Sequence, residues 1–301
     1  MAKITVIGSA NTDMVVKSER IPSPGETVLG GQFLMNPGGK GANQAVAAAR
    51  MGGSVTFITK VGDDFFGRDA VASWRREKID TSYVRVDPGN PSGAALILVD
   101  RKGENCIAVA PGANAALRPE DLAPAREVIE SADMLLMQLE IPVETVLCAA
   151  RWAAARRIPV ILNPAPAVSL PDALFPALCA ITPNETEAEI LTGIRVTDEA
   201  SAREAGLILH RRGVKNVVIT MGKQGAWASC AEFQEMIPAR PVKAVDTTAA
   251  GDVFNGTLAV ALAEHLDFRA ALQLASKAAS VSVTRQGAQS SAPFRNEMEN
   301  I

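Results

Sequence analysis

Histidine is nearly missing from this chain. His210 and His265 are the only 2 imidazoles in 301 residues, and each lies in a segment of helical period beside charged neighbours. Surface positions suit both, and His-ligated zinc or Ser-His-Asp catalysis finds little support. Cysteine is also sparse. Cys106, Cys148, Cys179 and Cys230 stand dozens of residues apart without a C-x-x-C pair, which fits free core thiols better than disulfides or a metal site. Neither sign of charge dominates: 30 Lys plus Arg face 33 Asp plus Glu, so no basic stripe invites nucleic acid or an anionic membrane surface. No apolar run approaches the roughly 18 residues of a membrane span, and the opening MAKITVIG is strand-like rather than a leader with a cleavage site. The cytosol is the expected setting.

Two nucleotide-binding signatures are missing as well. The Walker A pattern G-x-x-x-x-G-K-[ST] occurs nowhere. The first strand is followed by GSANTD, with a single glycine, and after Gly39 and Gly41 the third glycine position of a dinucleotide fingerprint holds Gln44. A nicotinamide oxidoreductase is therefore disfavoured.

What is present is a large apolar fraction, 48% of residues, enough for one large core with or without a small appendage. Short apolar or β-branched runs recur at ITVIG, VTFITKVG, DMLLMQL, PVILNPAP, ITPN and NVVITMG, most of them separated by segments of helical period such as ANQAVAAARMG and VETVLCAARWAAARR. That alternation predicts βαβ units on a parallel sheet. Gly52 and Gly53 mark a helix C-terminus, and Pro119 and Asp198 stand near helix starts. Residues 11–36 and 92–110 depart from the pattern. They read as alternating strands joined by Gly- and Pro-bearing turns, an antiparallel patch with one face over a cleft or against another subunit.

Two stretches carry candidate chemistry. In PGGKGANQA, Gly38, Gly39 and Gly41 allow close backbone approach to a polar molecule, while Lys40 and Asn43 offer donors; a plain strand-to-helix turn accounts for the glycines equally well. In DTTAAGDVFNG a helix of apolar residues follows at once, so Ala249, Ala250, Gly251 and Asp252 occupy its first turn, where free N–H groups and the macrodipole favour an anion. Asp252 is either a helix N-cap or a proton acceptor. Asp246 brings a second carboxylate to a site suited to anions, which makes sense if a cation or a proton acceptor is needed there.

GGKGANQA, NETEAE at 184–189, TMGKQG at 220–225 and DTTAAGD followed by FNG resemble, in order and spacing over essentially the whole chain, the ribokinase family of sugar kinases. NTD at 11–13, QLE at 138–140, NPAPA at 163–167 and VTRQGAQSS at 283–291 strengthen the likeness. The resemblance implies one three-layer α/β/α domain over 1–301, with a mostly parallel sheet and a small antiparallel β lid, that transfers phosphate from ATP to the 5-hydroxyl of a sugar. D-ribose is the expected acceptor; another sugar such as 2-deoxyribose or a fructose-type sugar, a nucleoside, or a non-catalytic sugar-binding regulator are the alternatives.

By the same resemblance Asp252 is the base, and Ala249, Ala250, Gly251 and Asp252 receive the phosphoryl group. Asn11, Asp13, Gly39, Lys40, Asn43 and Glu140 hold the sugar together with Asp252. Asn184, Thr220, Gly222, Gly225, Gly251 and Ser276 surround ATP, and Glu187 positions Mg2+ through water. Asp246 and oxygens of Thr248, Ser282, Arg285, Gly287 and Ser291 hold a monovalent cation, K+. A homodimer clasped through the lid is implied too. Many family members have glycine at the position of Ala249, and its methyl is tolerable if the residue keeps a negative φ.

Overall fold

The computed structural model describes residues 1–298. In chain order the strands and helices are β1 Lys3–Ile7, β2 Asn11–Lys17, β3 Gln32–Gly38, α1 Lys40–Arg50, β4 Ser54–Ile58, β5 Lys60–Gly62, α2 Phe65–Arg76, β6 Arg85–Asp87, β7 Gly93–Val99, β8 Asn105–Ala110 and α3 Arg126–Glu130. They continue as β9 Met134–Met137, α4 Val143–Ala155, β10 Val160–Leu162, β11 Ala180–Ile181, α5 Glu185–Thr192, α6 Glu199–Arg211, β12 Asn216–Thr220, β13 Ala226–Ser229, β14 Gln234–Ile237, α7 Ala250–Ala263 and α8 Phe268–Ser282. Each apolar run anticipated from the sequence overlaps a strand, ITPN only through Ile181 at the end of β11. Local chemistry sets the helix ends: Asp198 accepts from Ser201 N at 2.8 Å, and Gly52 takes φ 95° just past α1. Pro119 opens a 3-10 helix rather than an α-helix.

Among the described residues the main sheet runs β14-β13-β12-β11-β10-β9-β1-β4, parallel from β4 to β12 and antiparallel at the β12–β13–β14 edge. Strand alternation divides its side chains between two cores. Ile4, Val6, Met134 and Leu136 pack with α1, α7 and α8, while Ile7, Leu135 and Met137 pack with α4, α5 and α6. The three-layer α/β/α architecture follows, because both faces of a parallel sheet need a helical cover.

The second sheet, β3-β2-β7-β8, is built from the two stretches that broke the helical alternation. Its outer pairs are antiparallel as expected, but β2 and β7 run parallel. No hairpin joins those two strands, so no tight turn imposes an antiparallel pairing. β3 also continues to Gly38, beyond the expected limit at 36. The registers place Met14, Val16, Phe33, Met35, Leu96 and Leu98 on one face and Asn11, Asp13, Ile97 and Ile107 on the other. Phe33, Met35 and Leu96 are exposed.

Two readings need correction. His210 is not a free surface residue: its ring bridges Val214 O at 2.9 Å and Ser229 Oγ at 2.8 Å, tying α6 to β13. Cys106 is an exposed thiol on β8, not a core one, because every side chain of that strand is exposed. His265 is exposed, as expected. Among the described residues no helix is long and apolar enough to cross a membrane.

Candidate active site

The site forms where β2, β3 and the start of α1 converge. Gly39 takes φ 88°, and a Cβ there would stand 2.6 Å from Asn11 N; one on Gly38 would stand 2.3 Å from Asp13 Oδ2. The bare backbone lets α1 begin directly against the Asn11–Asp13 strand. Glu140, just beyond β9, accepts from Lys40 N at 3.0 Å and from Ser9 Oγ at 2.5 Å. Asn114 holds Asn11 by donating from Nδ2 to its Oδ1 at 2.8 Å. Asn11, Asn114, Glu140 and Val109 border an open cavity of about 470 Å³.

Charge is concentrated here. Burial, with Glu140 and Asp252 adding to it and Lys40 opposing, pushes the Asp13 carboxyl up to about 6. Burial works against the Lys40 ammonium, but Asp252, Glu140, Glu187 and Asp13 outweigh it and hold that group above its ordinary value. Residues from α1, α5, α7, β2 and the loop after β9 thus act on one another electrostatically.

Asp252 lies in the first turn of α7 and is buried. Asn43 Nδ2 donates to its Oδ2 at 2.9 Å and Gln44 Nε2 to its Oδ1 at 3.0 Å. Burial raises its pKa, against the pull of Lys40 and of those two amides. It is not the N-cap. That position belongs to Ala249, and no side chain caps the helix. Ala249 also departs from expectation in conformation, with φ 60° and ψ 12° in the left-handed region rather than a negative φ. The turn from Asp246 into α7 imposes this geometry, at a cost of roughly 1–2 kcal/mol for a non-glycine residue. A Cβ on Gly251 would meet nothing within 4 Å, so the first turn faces open space.

The remaining residues fall into two groups. Asn184 and Glu187 form a reciprocal capping box at α5: Asn184 Oδ1 accepts from Glu187 N at 2.8 Å, and Glu187 Oε2 accepts from Asn184 N at 2.9 Å. Burial raises the Glu187 pKa, partly opposed by that bond and by Lys40. Thr220 bridges to Asn184, Ser276 Oγ donates to Pro238 O at 3.4 Å, and a Cβ on Gly225 would stand 2.1 Å from Ile237 O, which sets these residues about the ends of β12 and β14; a Cβ on Gly222, φ 51°, would meet nothing within 4 Å. In the other group Asp246 accepts from Thr248 N and Gly287 N, both at 2.9 Å. Burial pushes its pKa up, but these bonds outweigh burial and keep the carboxyl below its usual range. The Ser282 and Ser291 hydroxyls donate to Ala279 O and Ala288 O, and the Arg285 guanidinium pairs with Glu297.

A sequence profile of the pfkB family carbohydrate kinases matches residues 1–295. The chain belongs to that family. It is 44% identical over 294 residues to the ribokinase of Haemophilus influenzae, covering 98% of this chain and 96% of that one. It is 40% identical over 291 residues to the deoxyribokinase of Salmonella typhimurium, covering 96% of this chain and 95% of that one. The solved structure of Arabidopsis thaliana ribokinase complexed with ribose and ATP superposes with a TM-score of 0.94 at 31% identity, covering 100% of this chain and 98% of that one.

Within this pfkB kinase, sequence reasoning passed over Ser9, Gln44, Asn114, Gln138, Asn163, Thr182 and Asn255 as site residues. Gln138, Asn163 and Thr182 each follow an apolar strand, β9, β10 or β11, by one residue. A polar residue at the carboxyl end of a parallel strand points to the crevice where ligands bind α/β sheets, a signal available before any fold is known.

Proposed function

We propose that this chain transfers the γ-phosphoryl group of ATP to the 5-hydroxyl of D-ribose, giving ribose 5-phosphate and ADP. The observation that carries the reading is the buried Asp252 carboxylate, held through both oxygens by Asn43 and Gln44 at the first turn of α7. Asp252 takes the hydroxyl proton as the sugar oxygen bonds to phosphorus and the bridging oxygen leaves with ADP. N–H groups of Ala249, Ala250, Gly251 and Asp252 receive the charge on the transferring group.

Asn11, Asp13, Gly39, Lys40, Asn43 and Glu140 hold the sugar, while Asn184, Thr220, Gly222, Gly225, Gly251 and Ser276 hold ATP. Glu187, a half-buried carboxylate in the same field, suits Mg2+ carried through water, an ion that neutralises phosphate charge. One carboxylate and several oxygens, from Asp246, Thr248, Ser282, Arg285, Gly287 and Ser291, suit K+, which neutralises charge beside the anion-binding turn. The β3-β2-β7-β8 sheet serves as a lid on a single catalytic domain. Its apolar outer face, with Phe33 61% exposed and Leu96 58% exposed, supports a homodimer joined lid to lid. Four free cysteines agree with a cytosolic setting.

The test is ADP release with ribose, 2-deoxyribose, fructose and a nucleoside in parallel. Ribose is expected to exceed 2-deoxyribose roughly 5- to 150-fold in kcat/KM, the cost of leaving about 1–3 kcal/mol of buried polar group unpaired. Asn11→Leu is expected to narrow that ratio by losing ribose. Preference for 2-deoxyribose, or for a hexose or nucleoside over both pentoses, overturns the substrate assignment.

A further inference from the structure

Gln44 sits in an alanine-rich helix and is fully buried. An apolar side chain of similar size would fill that space without the desolvation penalty of an amide. The amide is satisfied instead by an unusually complete set of partners. Its Nε2 donates to Asp252 Oδ1 at 3.0 Å and to Asn163 Oδ1 at 3.1 Å, which uses both N–H groups, and its Oε1 accepts from Gln138 Nε2 at 2.6 Å.

The chain of bonds then closes on itself. Asn163 Nδ2 donates to Thr182 O at 3.1 Å, Thr182 Oγ1 to Asn255 Oδ1 at 2.6 Å, and Asn255 Nδ2 to Gly251 O at 2.8 Å. A buried polar belt therefore runs from one oxygen of Asp252 beneath the first turn of α7 and back to the residue before it. Gln138, Asn163, Thr182 and Asn255 are all buried. None of these residues is among those that line the open cavity beside Asn11 and Glu140.

We propose that Gln44 is a positioning residue for phosphoryl transfer, orienting the Asp252 carboxylate and keeping it ionised in a dry site. The inference rests on the reading of Asp252 as the base. A carboxylate out of water takes up a proton unless donors stabilise its charged form, and a protonated Asp252 cannot accept the hydroxyl proton. The other groups that act on Asp252 are Lys40 and Asn43 from α1, Glu140 beyond β9, Asp13 from β2 and Glu187 from α5. All of them stay in place when Gln44 alone is changed, so a change in titration reports on Gln44.

The experiment measures kcat and kcat/KM against pH for the wild type, Gln44→Met, Gln44→Glu and Gln138→Met, with Asp252→Asn as control and a melting temperature for each. Gln44→Met is expected to move the acid limb of kcat/KM up by about one pH unit through loss of a donor to the charged form. Gln44→Glu, which adds a like charge in the same shape, moves it further, and Gln138→Met, one bond more remote, moves it the same way by less. Sugar KM is expected to change by less than about threefold, since the effect falls on the chemical step. Folded Gln44 variants with the wild-type acid limb overturn the proposal, whatever their melting temperatures. Should neither Gln44 variant fold, an unmoved limb in Gln138→Met overturns it. Near-normal turnover in Asp252→Asn would instead remove the base reading on which the proposal stands.

Discussion

Asn43 and Asp252 are 209 positions apart in the chain and joined by a 2.9 Å hydrogen bond in the fold. One opens α1 and the other opens α7, and the two helices pack side by side in the same core. Two helix starts aimed at one point bring the glycine-rich loop and the first turn of α7 together.

Asp252→Asn keeps the shape of that junction and removes its basicity. The expected outcome is a kcat lower by at least ~10²- to 10⁴-fold with sugar affinity nearly unchanged. Single-turnover rates together with ribose binding by calorimetry check it, and near-normal turnover would reduce Asp252 to a structural residue.

Asp13 is held near a pKa of about 6 by burial and by the neighbouring Glu140 and Asp252. Its folded value lies above its unfolded one, so its favourable contribution to stability is complete below the unfolded pKa and is lost as pH rises through about 6. Asp13→Asn is therefore expected to raise the melting temperature at pH 7.5, with the gain fading below pH ~4. The same substitution should weaken sugar binding. A melting-temperature difference independent of pH would contradict this account.

Ala249 holds φ 60°, where glycine carries no penalty. Ala249→Gly relieves roughly 1–2 kcal/mol of backbone strain and returns about 0.4–1 kcal/mol through the freer unfolded chain. The net gain is expected to lift the melting temperature by about 1–3 °C, and Ala249→Val to lower it. Calorimetry on the three proteins decides the matter; a lower melting temperature for the glycine variant is the contrary result.

Asp246 places a carboxylate, held in its charged form by Thr248 N and Gly287 N, near the turn proposed to receive phosphate. Turnover and melting temperature should both be higher in potassium than in a bulky organic cation at equal ionic strength, and Asp246→Ala should weaken both responses. Equal values in the two salts would remove the cation from the mechanism.

The sequence by itself determined the layered α/β architecture, the two stretches that form the second sheet and the helix start at residues 249–252. Those features are encoded over short range. Apolar spacing selects strand or helix, and small residues at a helix start leave room for an anion, whatever the rest of the chain does. Tertiary structure decided the parallel pairing of β2 with β7, because no local turn specifies it. It also decided the left-handed Ala249, set by how the chain must turn from Asp246 into α7. Above all it decided the polar belt beneath Asp252. Gln44, Gln138, Asn163, Thr182 and Asn255 come from α1, the ends of three strands and α7, and only their convergence shows that these buried side chains hydrogen-bond to one another, with Gln138 Oε1 left unpaired.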